Sequence, residues 1–172
     1  MRAEVPESLL AERRSRGLDR RDELWDGVLH MVPPPADARQ GLSTELVILL
    51  GQLAKGRGLV PRIETGLFRS SDDYRVPEQL YRRPEDGSTR GAEGAELVVE
   101  ILSPQDETLA KLPWYDEIGV REVLILDPAT RASTLYRAGQ VVEPAHSEVL
   151  GVTFRTVDGR LQLTSEGGEV II

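Results

Sequence analysis

The sequence predicts an α/β fold, and three observations carry the prediction. Residues 97–102 form an apolar run with the length and valine content of a strand buried on both faces. A helix signal follows, with Ser103 as the N-cap and Pro104 at the first helical position. A second apolar strand is predicted at residues 123–126. Strand, helix and strand in this order favour a parallel crossover within one sheet.

The remaining elements follow from hydrophobic periodicity and turn signals. Helices are predicted at residues 6–16 and 37–55. Asp26-Gly27 predicts a hairpin turn between two short strands. Further strands are predicted at residues 60–68, 74–81, 133–137, 149–156 and 160–164. Pro113 falls inside the predicted crossover helix, so we expect it to kink that helix.

Length and composition indicate a globular protein. A chain of 172 residues fits a single domain, residues 1–172, with a full hydrophobic core. Its apolar residues make up 40% and its charged residues 29%, and no apolar run reaches the ~20 residues that a membrane span needs. With no cysteine, a disulfide framework and a thiolate metal site are both excluded. We expect a cytoplasmic protein without membrane contact.

The charge balance argues against broad electrostatic attraction to nucleic acid. The net charge is -8, whereas nucleic-acid-binding proteins usually carry a basic face. A local basic strip beside an acidic site remains compatible with this value. Five arginines between residues 69 and 90 are interpreted as a solvated loop; the alternative is a groove that contacts DNA phosphates. They are Arg69, Arg75, Arg82, Arg83 and Arg90.

Glu100 interrupts the apolar central strand. An ionised carboxylate removed from water costs several kcal/mol unless it is compensated, so Glu100 must be paired, protonated or bound to a metal. Lys111 lies eight residues after Ser103, roughly 12 Å along a helix. Glu100 lies three residues before Ser103, roughly 10 Å back along a strand. A crossover that folds back over the strand would bring Lys111 and Glu100 to similar depths.

Glu78 supplies a second acidic side chain near a predicted strand end. Two carboxylates on neighbouring strand ends can hold Mg²⁺ or Mn²⁺ through oxygen ligands. A metal lowers the pKa of a bound water, and a nearby lysine can stabilise charge on a phosphate. Glu78, Glu100 and Lys111 therefore meet the requirements of metal-assisted phosphodiester hydrolysis. The alternative interpretation is a structural ion pair between Glu100 and Lys111.

Several motifs between residues 20 and 137 share their order and spacing with one protein family. They are Asp26-Gly27, Pro33-Pro34-Pro35, Arg75-Val76-Pro77-Glu78, the run from Leu97 to Pro104, Lys111-x-x-x-Tyr115 and Asp127-Pro128. Together they resemble the putative restriction endonucleases, a family within the PD-(D/E)XK nuclease superfamily. The resemblance implies a restriction-endonuclease-like α/β fold, in which helices flank a mixed β-sheet, and a metal-dependent active site.

The resemblance assigns roles residue by residue. Glu78 takes the place of the aspartate in the Pro-Asp step, and Glu100 takes the second acidic place. Leu102 occupies the position of the superfamily's lysine. In this family the lysine moves to the following helix, which places it at Lys111.

Three further residues complete the implied site. Tyr115 matches the family's tyrosine one turn after Lys111. Glu23 matches a recurrent acid, and the Ile101 carbonyl is considered as a further metal ligand. The first hypothesis is therefore a Mg²⁺- or Mn²⁺-dependent nuclease that acts on DNA, in which Lys111 positions the attacking water.

Departures from the family pattern motivate a second hypothesis of another class. Glu78 is one methylene longer than aspartate, and Arg39 stands where relatives often carry histidine. Pro113 is unexpected in the helix. A catalytically inactive member acting as an oligomeric binding or scaffold protein would tolerate these changes. We also expect a homodimer, with residues 170–172 as an apolar contact.

Overall fold

Three β-sheets and three α-helices make up the part of the chain that the computed structural model describes, residues 6–32, 36–103 and 107–172. The helices are α1 (Glu7–Ser15), α2 (Asp37–Gly56) and α3 (Leu112–Glu117), with 3₁₀ helices at Leu18–Arg21, Pro84–Asp86 and Thr108–Lys111. No helix within these ranges is both long enough and apolar enough to cross a bilayer.

Fourteen strands in the described ranges form these sheets. They are β1 (Glu23–Trp25), β2 (Val28–His30), β3 (Val60–Ile63), β4 (Leu67–Phe68), β5 (Tyr74–Arg75), β6 (Gln79–Arg82), β7 (Leu97–Ile101), β8 (Glu122–Leu126), β9 (Ser133–Arg137), β10 (Gln140–Val141), β11 (His146–Ser147), β12 (Val152–Val157), β13 (Arg160–Ser165) and β14 (Gly168–Ile171). Their orders are β2-β1-β5-β4 in the first sheet, β10-β9-β8-β7-β6-β3 in the central sheet and β11-β12-β13-β14 in the third.

The central sheet is mixed. Strands β7 and β8 are parallel, with Val98 opposite Val123, and the other neighbours in this sheet are antiparallel. Every residue of β7 and β8 is buried. The predicted α/β class with a parallel crossover is therefore confirmed. Its physical basis is the pair of continuous apolar runs, which suit strands covered on both faces.

Two hydrophobic cores lie on opposite faces of the central sheet. Because side chains alternate along a strand, Val99 of β7 belongs to one core and Val98 to the other. The first core contains Leu46 of α2 and Phe154 of the third sheet. The second core contains Tyr115 of α3. Glu100 shares the face of Val98, so it points toward α3.

Asp26-Gly27 and Asp158-Gly159 both form hairpin turns. Asp26 and Gly27 have φ values of 48° and 79°, and Trp25 pairs with Val28 across the turn. Asp158 and Gly159 have φ values of 50° and 72° between β12 and β13. Positive φ at both central residues matches the right-handed twist of the flanking strands.

The strands expected at residues 60–68 and 74–81 are each divided in two. Glu64, with a φ of 43°, follows the end of β3. The chain then leaves the central sheet and forms β4 and β5 in the first sheet before it returns as β6. Each predicted run therefore contributes strands to two sheets, which an apolar pattern by itself does not reveal.

The kink expected at Pro113 is wrong. Pro113 is the second residue of α3 and is exposed. The first N–H groups of a helix have no intrahelical acceptor, so a proline there removes no hydrogen bond. The predicted helix start at Pro104 lies outside the described residues, and the described crossover begins with the 3₁₀ turn at Thr108.

Candidate active site

Glu100 accepts hydrogen bonds from two groups of the crossover segment, the stretch between β7 and β8. Its side chain is buried, and Oε1 lies 2.6 Å from the Tyr115 hydroxyl and 3.1 Å from Lys111 Nζ. Lys111 and Tyr115 are four residues apart, so the helical turn places both side chains on the same face. The crossover thus brings Lys111 to the depth of Glu100, as the residue spacing suggested.

Glu23 joins the same cluster from β1. Its Oε1 accepts hydrogen bonds from Lys111 Nζ at 2.8 Å and from the Val76 backbone N–H at 2.8 Å. Its Oε2 accepts the indole N–H of Trp25 at 2.8 Å. One ammonium therefore bridges two buried carboxylates, and both oxygens of Glu23 are fixed by neighbouring donors.

Burial and the close charges set the protonation of the cluster. Burial raises the pKa of the Glu100 carboxyl, although Lys111 acts in the opposite direction. Burial alone would lower the pKa of Lys111, but Glu100 and Glu23 raise it above its ordinary value. Burial and the same two carboxylates raise the pKa of Tyr115. Lys111 is therefore an ammonium and Tyr115 a neutral phenol at physiological pH, and both act as donors.

Glu78 has cationic partners of its own. It immediately precedes β6, whose first residue Gln79 pairs with Val99, so its backbone lies at the same end of β6 and β7 as Glu100. Glu78 Oε1 lies 2.5 Å from Arg21 Nη2 and 2.6 Å from Arg39 Nη2. Its Oε2 is buried without a hydrogen-bond partner in the described part of the chain.

Arg75 and its neighbours connect the elements that carry the site. The guanidinium lies 4.4 Å from the ring centroids of both Trp25 and Trp114. It donates to Asp73 Oδ1 at 2.9 Å, and Asp73 Oδ2 accepts the indole N–H of Trp114 at 2.8 Å. The solvated-loop interpretation is therefore wrong for Arg75, which is 4% exposed, and for Arg82 of β6, which is 9% exposed. The family motif at residues 75–78 set Arg75 apart from the other arginines of residues 69–90, but nothing in that motif indicated its position between two indoles.

The donor set fits a hard divalent cation held by few protein ligands. No group of three or more His, Asp or Glu side chains within residues 6–32, 36–103 and 107–172 is arranged to hold a metal. Magnesium, however, is usually bound by one or two carboxylates and keeps several waters. The unpartnered Oε2 of Glu78, which lies at the same end of β6 and β7 as Glu100, offers such an acceptor. The side chain of Ile101 lies in the first core, so only its main chain can contribute.

The chain matches one protein-family model and is similar in fold to a solved structure. The family model Uma2, described as "Putative restriction endonuclease", matches residues 7–162. A crystal structure at 1.96 Å of a putative nuclease belonging to DUF820 from Anabaena variabilis ATCC 29413 has a TM-score of 0.60 and 21% sequence identity. That match covers 72% of this chain and 78% of the other. It supports the fold.

Two further comparisons add nothing to the assignment. A cryo-electron microscopy structure of a DrdV–DNA complex has 15% identity and a TM-score of 0.41 over 61% of this chain and 10% of the other. That score is too low to bear on the fold. No curated protein sequence matches the chain.

Proposed function

This chain belongs to the Uma2 family of putative restriction endonucleases, and from that premise we propose that it is a divalent-metal-dependent endonuclease that hydrolyses phosphodiester bonds of DNA. One observation carries the proposal: Glu100 Oε1, buried beneath the crossover, accepts hydrogen bonds from both Lys111 and Tyr115. A carboxylate that holds a metal ion must be fixed in orientation, and two donors on one oxygen supply that constraint.

Each residue of the cluster has a distinct task in this proposal. Lys111, kept as an ammonium by Glu23 and Glu100, donates to the attacking water and offsets negative charge that develops on the phosphate. Tyr115 donates to Glu100 and fixes the orientation of its carboxylate. Glu23 holds the lysine from the opposite side.

Glu78 and Glu100, with the Ile101 carbonyl, would hold the Mg²⁺ or Mn²⁺ ion. Such an ion supplies Lewis-acid polarisation of the phosphoryl oxygen and lowers the pKa of a nearby water. The unpartnered Glu78 Oε2 supports this role, because a buried acceptor without a donor is costly unless a ligand satisfies it.

DNA as the substrate and a homodimer as the assembly are part of the same proposal. Arg69 supports phosphate contact: its guanidinium pairs with Asp73, which holds Trp114 of α3, and its side chain is 40% exposed. The net charge of -8 opposes nonspecific binding. Contacts between arginines and phosphates release counterions, so we expect cleavage to weaken as salt rises. Val170 and Ile171, exposed on β14, are the apolar contact expected for a dimer.

A matched pair of tyrosines tests the proposal. Tyr115→Phe removes a buried hydroxyl that donates to Glu100, whereas Tyr81→Phe removes one that donates to Gln79 on the opposite face of the sheet. We expect Tyr115→Phe to slow manganese-dependent plasmid nicking about tenfold and Glu100→Gln or Lys111→Ala to slow it by more than about 10²-fold. Tyr81→Phe should keep wild-type nicking.

Folding is checked for every variant by circular dichroism and thermal melting. Equal losses in Tyr115→Phe and Tyr81→Phe would mean that the tyrosine acts only through stability. A wild-type protein that cleaves neither DNA nor RNA with any divalent metal would overturn the proposal.

A second candidate is a catalytically inactive binding or scaffold protein. The two arginines on Glu78 Oε1 favour it, because they already neutralise the carboxylate that a metal would use. In that case calorimetry would detect no binding of Mg²⁺ or Mn²⁺, and Glu100→Gln would leave the free energy of unfolding unchanged or higher.

A further inference from the structure

Glu78 is held by two guanidinium groups at a single oxygen. Arg21 reaches it from the 3₁₀ helix after α1, and Arg39 from the first turn of α2. The side chains of Arg21 and Arg39 are 13% and 12% exposed, and that of Glu78 is 2% exposed. Ion pairs with so little solvent contact are weakly screened, so they oppose any competitor for the carboxylate.

The carboxylate of Glu78 is already compensated without a metal. It faces two cations, Arg21 and Arg39, and Arg21 Nε also lies 3.5 Å from Glu64 Oε1. A divalent cation binds where negative charge is in excess. Glu78 can coordinate such a cation through both oxygens only after Arg21 and Arg39 pair with another anion.

Both arginines retain unused donors. Arg21 Nη1 and Arg39 Nε are buried and have no hydrogen-bond partner among the residues that the structure describes. A phosphodiester presents two anionic oxygens that match the fork of a guanidinium. A phosphate would therefore complete hydrogen bonding that Glu78 leaves incomplete.

We propose that a phosphate of the DNA backbone pairs with Arg21 and Arg39 in place of Glu78. Glu78 then becomes free to bind the divalent cation. The inference rests on the proposed function, in that DNA supplies the phosphodiester. Arginine release couples the two ligands: phosphate strengthens cation binding, and by linkage the cation strengthens phosphate binding to the same degree. The free protein is then a poor metal binder, which limits metal loading in the absence of substrate.

The first experiment titrates Mn²⁺ alone into the protein by calorimetry. Arg39→Gln and Arg21→Gln should each raise Mn²⁺ affinity about tenfold over wild type, since a hydrogen bond to a charged group is worth about that factor. Arg160→Gln is the control: it removes the same charge from an exposed position in the third sheet, which packs on the opposite core. It should leave Mn²⁺ affinity within about twofold of wild type.

The second experiment measures binding of a fluorescent DNA duplex in EDTA by anisotropy. Glu78→Gln should tighten DNA binding about tenfold, because it frees both arginines, and Arg39→Gln should weaken it by a similar factor. Glu166→Gln, exposed between β13 and β14, removes the same negative charge and should change the affinity much less. Both measurements use the full chain and need no cleavage.

The two proposals fail separately. If Arg39→Gln and Arg160→Gln bind Mn²⁺ equally, or if Glu78→Gln and Glu166→Gln bind DNA equally, the arginine exchange is overturned even in an active nuclease. If all affinities shift as expected but the wild type does not nick DNA, the exchange stands and the nuclease proposal fails.

Discussion

Lys111 places one ammonium between two buried carboxylates. Nζ lies 2.8 Å from Glu23 Oε1 and 3.1 Å from Glu100 Oε1. A compact ammonium with three donors can serve two acceptors at such distances, whereas a planar guanidinium needs more room and a fixed fork geometry. The choice of lysine at this position, in a chain rich in arginine, therefore follows from the geometry of the site.

Asp73 holds the segment between β4 and β5 against α3. Its ionisation should therefore affect how the free energy of unfolding depends on pH. Burial alone would raise the pKa of its carboxyl, but hydrogen bonds from Trp114, from the Asp26 backbone N–H and from Arg75 bring it below the usual value. A pKa lowered in the folded state stabilises the protein above the unfolded-state pKa of about 3.9, and this contribution is lost as the pH falls through the folded value.

We therefore expect Asp73→Asn to lower the free energy of unfolding by roughly 1.5–3 kcal/mol at pH 7, from lost charge-assisted hydrogen bonds. The difference from wild type should shrink as the pH falls below about 4, because Asp73 of the unfolded chain then takes up a proton while the folded carboxylate still resists protonation. Urea denaturation at pH 3, 5 and 7 measures it. Asp116→Asn, on the exposed face of α3, should change stability by less than about 0.5 kcal/mol at each pH. A difference that stays constant down to pH 3 would contradict the assigned role of the charge.

At the scale of elements, the crossover segment supplies neighbouring side chains that contact the site together. Lys111 ends the 3₁₀ turn, and Trp114 and Tyr115 follow in α3 with both rings buried. Tyr115 reaches Glu100, and Trp114 reaches Asp73. A helix of six residues has little stability by itself, so these side-chain contacts must hold it in place.

Pro113 tests this description of α3. Because the proline stands in the first turn, Pro113→Ala should lower the free energy of unfolding slightly, by about 0.4–1 kcal/mol, through greater freedom of the unfolded chain. Proline in a helix interior costs about 3 kcal/mol, so its removal there would instead stabilise the protein. Chemical denaturation distinguishes the two signs. A clear gain in stability would mean that the crossover helix extends back past Pro113.

At the scale of the whole molecule, the central sheet separates the site from the third sheet. Phe154 of β12 is 2% exposed and packs in the first core with Leu46 of α2. Trp114 lies in the second core, on the face that carries Glu100. One sheet thus supports both cores, and we propose that residues 1–172 unfold as a single domain.

Phe154→Ala should lower the free energy of unfolding by about 3–5 kcal/mol, because it leaves a cavity in the first core. If the chain is one cooperative unit, loss of tryptophan fluorescence and loss of the far-ultraviolet circular dichroism signal should shift together. The fluorescence reports Trp114, which lies in the second core on the other side of the central sheet from Phe154, and Trp25, which shares the Arg75 guanidinium with Trp114. Two separated transitions in wild type would contradict the single domain.

The sequence by itself determined the crossover, the Asp26-Gly27 hairpin and the buried position of Glu100. These features depend on apolar runs and turn chemistry, which act over a few residues. The similar depth of Lys111 and Glu100 was predicted from an α-helical rise counted from Ser103, whereas the described residues before Lys111 form a 3₁₀ turn. The class of fold and the Glu100–Lys111 contact were therefore predictable without coordinates.

Only the tertiary structure decided which side chains complete the site. Lys111 meets Glu23 across 88 positions of the chain, and Arg21 meets Glu78 across 57. The position of Arg75 between two indoles likewise depends on how β1, β5 and α3 come together. No short-range pattern encodes such contacts, because each depends on the packing of whole elements against one another.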